Sequence, residues 1–144
     1  MNLSNHFTLE ELTHSEIGER KGLDNTPNAT ETANLVRTAA LLEQVRELLG
    51  KPIMINSAYR SKAVNDAVGS KDSSQHRIGC AADIRIPGMT PKQVVEAIIS
   101  SDIPYDQVIR EFDSWTHISV PNTTTDKPRR QALIIDRQGT RLYS

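Results

Sequence analysis

The chain has little cysteine, few aromatics and no surplus of positive charge, and each shortage excludes something. A lone Cys80 cannot form an internal disulfide or build a thiolate-rich zinc site, so any metal must be held by histidine and carboxylate. Lys plus Arg number 17 against 18 Asp plus Glu, giving a net charge of -1, so no basic excess marks a polyanion and nucleic acid is not an expected partner. No apolar run approaches the ~20 residues of a membrane-crossing helix, so no membrane span is expected. The first six residues lack the basic-then-apolar pattern of a secretory leader, which places the expected synthesis in the cytoplasm. What is present, 144 residues with 37% hydrophobic and 4% aromatic content, seven glycines and seven prolines, fits one globular domain over residues 1–144, with a monomer as the default.

Local signals divide the chain into early helices and late strands. Thr8 precedes Glu11 by three residues, the capping box of a short helix, and polar, turn-rich sequence fills 22–28. Leu35, Ala39, Leu42, Val45 and Leu49 recur at helical steps and predict a helix over 32–49 that ends at Gly50. A strand is predicted over 53–58, a short helix over 61–68, a loop over 69–74, and a strand from the small residues after Gly79 to Ile86. Thr90, Pro91 and Gln93 open a helix over 91–100; strands follow near 107–111, 115–120, 131–135 and 140–143. The fold class implied is α+β, with a small, mostly antiparallel sheet and helices packed on one side.

Two histidines have informative surroundings. On one helix His76 and Asp83 would lie ~10.5 Å apart along the axis, whereas ligands of a common zinc lie ~3–4 Å from each other. Gly79 and the small residues after it instead suit a loop that folds His76 back over a strand carrying Asp83. In that strand Ala82, Ile84 and Ile86 take the core face and leave Asp83 and Arg85 on the other. His117 lies in a second strand with Trp115 and Ser119 on its own face. Two imidazoles and a carboxylate leave a fourth tetrahedral position for water, the pattern of a catalytic rather than a structural zinc.

Such a site needs a base, and Glu111 and Asp113 are the nearby carboxylates. If Phe112, Asp113 and Ser114 form a three-residue loop, Glu111 opposes Trp115 and shares a face with His117, ~7–8 Å away diagonally. A two-residue loop would turn His117 to the opposite side. Taken from spacing alone, a His–Asp pair in strands is more often a surface or hydrogen-bonding pair, and Glu111 a solvated strand end. Arg60 is either solvated or a bidentate partner for a substrate carboxylate. His6 and His14 are assigned no role, and Cys80 reads as a small buried residue.

At these residues the chain resembles the zinc D-Ala-D-Ala peptidases of the M15 type, in the superfamily that includes the hedgehog signalling domain. Ser57-Ala58-Tyr59-Arg60-Ser61 is similar to that family's S-G-Y-R-S, residues 74–83 to S-x-H-x-x-G-x-A-x-D, and 115–119 to W-x-H-hydrophobic-S. Residues 7–13 and 24–27 resemble a compact phage and prophage branch. The resemblance implies a hedgehog/DD-peptidase-like fold, Zn²⁺ on His76, Asp83 and His117, and substrate contacts from Arg60, Gln75 and Trp115. Ser114 stands where many members carry a glutamate, three residues before the last ligand, and Glu111 stands where hedgehog-like members carry one, so Glu111 is the first choice of base and Asp113 the second. Trp115 replaces a histidine that some members place two residues before that ligand. The implied substrate is a peptidoglycan stem peptide, cut by a carboxypeptidase or an endopeptidase of endolysin type. The wall would be reached after lysis, through a holin or within a phage particle. A non-catalytic zinc-containing wall-peptide module or a phage structural component is the alternative.

Overall fold

Three of the helix starts in this chain are set by reciprocal side-chain caps. A computed structural model describes residues 1–143. Thr8 and Glu11 close a capping box at α1 (Leu9–Thr13), Asn28 and Glu31 at α3 (Ala29–Leu49), and Thr90 and Gln93 at α5 (Pro91–Ile99). Thus α3 begins three residues before the predicted position, because the Asn28–Glu31 cap captures the turn N-terminal to the apolar stripe. A helix absent from the sequence reading, α2 (Glu16–Lys21), runs from a Ser15 cap to a left-handed Gly22. The short α4 (Lys62–Ala67) is capped by Ser61, and a 3₁₀ turn (Gln75–Ile78) is capped by Ser74.

The strands are β1 (Met54–Ser57), β2 (Ala81–Arg85), β3 (Gln107–Glu111), β4 (Trp115–Ser119), β5 (Gln131–Asp136) and β6 (Gly139–Leu142). They form one sheet in the order β1-β2-β4-β3-β5-β6. The expected small, mostly antiparallel sheet is corrected to a six-stranded mixed one, since β3 and β5 run parallel while the other neighbours are antiparallel. The reason is occupancy. Strand β4 already has β2 on one edge and β3 on the other, so the chain leaving β4 steps past the start of β3 and enters along its free edge in the same direction.

The two sheet faces have different work. Ala82, Ile84, Val108 and Ile118 join Leu35, Ala39, Leu42 and Val45 of α3 and Val94, Val95 and Ile98 of α5 in one buried core. Strand alternation then sends Asp83, Trp115, His117 and Glu111 to the opposite face. The β4–β5 connection is anchored by Asp106, whose buried carboxylate accepts from Arg129 Nε at 3.0 Å, Nη2 at 2.6 Å and backbone N–H at 3.1 Å, and from the Gln75 amide at 3.1 Å. Beside it Arg130 lies 4.6 Å over the Tyr105 ring and donates to the Ile103 and Ser101 carbonyls.

Burial alone would push the Asp106 carboxyl up, but the Arg129 and Gln75 donors outweigh it and hold the group below the usual carboxylate range. A depressed folded value contributes stability that is fully present above the unfolded carboxylate pKa and is lost as pH falls through the folded one. Asp106→Asn is therefore expected to lower stability by about 1.5–3 kcal/mol at pH 7 in urea unfolding. The gap to the parent protein should narrow as the melts are repeated at progressively lower pH through the acid range.

Candidate metal centre

His76 is placed by its own short turn. Ser74 Oγ accepts from the His76 N–H at 3.3 Å, and the His76 carbonyl accepts from the Arg60 N–H at 3.0 Å. The turn ends at Gly79, where φ is +84° and an added Cβ would stand 2.7 Å from the Glu31 carbonyl oxygen of α3. Only glycine allows both that backbone and that approach. His76 Nδ1 is 2.6 Å from the Ala58 carbonyl oxygen. A carbonyl can only accept, so Nδ1 carries the proton and Nε2 presents its lone pair to whatever lies ahead of it.

Ahead of it is one rung of the sheet. Asp83 of β2 pairs directly with His117 of β4, so both side chains leave the same face. Asp83 Oδ1 lies 3.2 Å from His76 Nε2 and 3.0 Å from His117 Nδ1, and the ligating atoms of the three residues all lie within 4.8 Å of one another. All three are buried, and Ile109, itself buried, pairs across from His117. Burial would raise the Asp83 carboxyl, but the two imidazoles outweigh it and hold it far below its usual range. Two nitrogens and one carboxylate oxygen, buried, with one tautomer already fixed and spacings close to a tetrahedral edge, form a donor set suited to a small divalent cation.

The remaining site residues fall into place by strand parity. Phe112, Asp113 and Ser114 do form a three-residue loop, with Phe112 and Asp113 at positive φ, and Glu111 pairs with Trp115. Glu111 therefore shares the face of His117. Burial pushes its carboxyl up, the Asp83 charge adds to this, and His117, Trp115 and Arg60 pull the other way. Asp113 is an exposed residue that spends its carboxylate on Arg110 Nε at 2.5 Å, and Arg110 alternates to the other face from Glu111. Trp115 Nε1 is buried without a hydrogen-bond partner of good geometry, although the indole lies close enough to favour ionised Glu111.

Arg60 lies against the cluster. Its Nη2 is 3.5 Å from Asp83 Oδ2, its Nε 3.3 Å from Ser57 Oγ, and its side chain is only 15% exposed. Gln75 is a brace: its amide nitrogen donates to Asp106, the Val120 carbonyl and Asn122. Cys80 is fully buried, with its thiol pushed up by burial. His6 pairs with Glu43, and His14 lies 3.4 Å from Glu19.

The sequence reading missed Glu31. Its buried carboxylate accepts from the Tyr59 hydroxyl at 2.9 Å and from Arg77 Nη1 at 2.9 Å, and so ties the segment carrying Arg60 to the segment carrying His76. The Asn28-x-x-Glu31 spacing was the available signal, but it announces a cap and not the contacts of the second carboxylate oxygen.

Comparison with known proteins gives two findings. A family model described as Peptidase M15 matches residues 5–119, ending at the last residue of β4. The zinc D-Ala-D-Ala carboxypeptidase of Streptomyces albus G is 40% identical over 80 residues, which is 55% of this chain and 31% of that relative. The aligned stretch thus spans about a third of the relative's length.

Gly79→Ala is expected to destabilise the fold by about 2 kcal/mol or more, because backbone strain adds to the clash with α3. Gly69→Ala is the control, since Gly69 has φ +74° but open space around its Cβ position. Urea midpoints should show the larger loss at Gly79.

Proposed function

The chain belongs to the peptidase M15 family, and from that premise we propose that it is a zinc-dependent peptidase that hydrolyses amide bonds in peptidoglycan stem peptides. The observation that carries this reading is the convergence of His76 Nε2, Asp83 Oδ1 and His117 Nδ1, with Glu111 on the same sheet face. The name of the Streptomyces albus G relative supports both zinc and a D-alanine-containing peptide. The resemblance of residues 7–13 and 24–27 to the phage and prophage branch favours an endolysin-type role.

His76, Asp83 and His117 would hold the zinc, which bound there would supply Lewis-acid polarisation of a carbonyl and lower the pKa of water toward ~7. The chain's own residues do the rest. Glu111 accepts a proton from the attacking water and returns it to the leaving amine, with burial keeping its basicity above that of a solvated carboxylate. Ala58 fixes the His76 tautomer, and Arg60 pins the outer oxygen of Asp83 so that Oδ1 stays aimed at the imidazoles. Arg60 also carries positive charge toward the space where an anion develops, since it couples to both Asp83 and Glu111.

Purified protein is expected to carry one zinc per chain, and His76→Ala to lose it. Glu111→Gln should keep the metal while cutting hydrolysis of purified peptidoglycan by about 10²–10⁴-fold. Asp113→Asn should stay within a few-fold of the parent. Zinc-loaded protein that cleaves neither peptidoglycan nor a D-Ala-D-Ala-ended peptide would leave a binding module in place of an enzyme. Arg60→Ala should weaken zinc affinity about 10–100-fold, read by chelator competition.

A further inference from the structure

The Asp83–His117 rung has a neighbour on the same face. Two residues further along β2 stands Arg85, and the register that pairs Ile84 with Thr116 brings it beside Trp115. Two residues of strand span ~7 Å, which is also the repeat of an extended peptide laid over the sheet. Arg85 and Trp115 line a groove of about 490 Å³ with Asn56, and His14 and Glu16 form another part of its wall.

The two arginines of this face are in different situations. Arg60 is largely enclosed and already set against Asp83 and Ser57. Arg85 is exposed, and among the described residues it forms no ion pair. Its Nε donates to Asn56 Oδ1 at 3.0 Å, which orients the guanidinium and leaves both terminal nitrogens available as a fork. Among the residues lining this groove Arg85 is the one arginine, and no lysine stands beside it, so an incoming carboxylate finds its guanidinium partner there.

We propose that Arg85 is an anion-reading subsite, which takes a free carboxylate of the peptide substrate one to two residues from the scissile amide in a bidentate pair beside Trp115. This rests on the peptidase reading above and adds to it a preference: the substrate is an acidic peptide, and amidation at one position weakens it. Arg60, already set against Asp83 and Ser57, does not make this discrimination.

The test uses a set of stem-peptide analogues in which each free carboxylate in turn is replaced by a carboxamide. The zinc-loaded parent protein should lose about 10-fold or more in kcat/KM at one position of the set, through KM. In Arg85→Ala that difference should collapse, and Arg85→Lys should restore only part of it, since it keeps the charge without the fork. Trp115 is the chain's single tryptophan, so its fluorescence in zinc-loaded Glu111→Gln reports occupancy of the groove without turnover. The same carboxylate preference should appear there and vanish when Arg85→Ala is added. Cleavage of the whole set with equal efficiency, or a preference that survives Arg85→Ala, overturns the subsite while leaving the peptidase intact. An Arg85-dependent binding preference in a protein that cleaves nothing overturns the peptidase and leaves the subsite standing.

Discussion

Burying the Asp83 carboxylate is the constraint from which the arrangement of this face follows. An isolated ionised carboxylate in a dry site is expensive, and it persists only with partners that satisfy its lone pairs and balance its charge. Asp83 has three neighbours, the His76 and His117 rings at one oxygen and the Arg60 guanidinium at the other. Because His76 Nε2 faces that oxygen with a lone pair, the arrangement calls for a cation between them. The three neighbours come from a 3₁₀ turn, a neighbouring strand and the segment after β1, so satisfying one charge draws together three stretches that are distant in sequence. A small divalent cation fits the same logic, since it would take the imidazole lone pairs and the carboxylate charge into one coordination set.

The rest of the site depends on the period of two in a strand. One three-residue turn decides that Glu111 opposes Trp115 and shares the face of His117, while Arg110 and its partner Asp113 fall to the other side. A turn shorter by one residue would leave the same side chains in the chain and dissolve the constellation. The positive φ angles of Phe112 and Asp113 are therefore part of the chemistry, because they hold the loop at the length that sets the register.

Much of this was readable because it was local. Capping boxes at Thr8 and Thr90 give helix starts within a residue, and alternation in 81–86 separates the Asp83 face from the core face. The ligand set was legible through resemblance more than through spacing, since spacing leaves a His–Asp pair ambiguous. What escaped was non-local. The parallel β3–β5 pair depends on which sheet edge is free when the chain arrives, and no residue in β5 encodes that. Likewise, nothing near Gln75 reveals that its amide is spent on Asp106, Val120 and Asn122, which lie 31 to 47 residues away.

Those non-local contacts explain how a metal ligand can sit on a four-residue turn and still be rigid. Gln75, His76 and Arg77 are each tied to a different part of the molecule: Gln75 to Asp106 at the start of β3, His76 to the Ala58 carbonyl, and Arg77 to Glu31 on α3. Three successive residues with three separate anchors cannot rotate about a common axis without breaking at least two of them. The turn is thus held from the helix layer, the β1 segment and the entry to the interior strand β3 together, and His76 Nε2 meets Asp83 with little conformational freedom left to lose. Gly79 lets this bracing close, because only a residue without a side chain permits the turn to lie against the backbone of α3 that carries Glu31. The same α3 turn that caps the helix thereby also fixes the ligand, and metal-site geometry and helix initiation share one carboxylate.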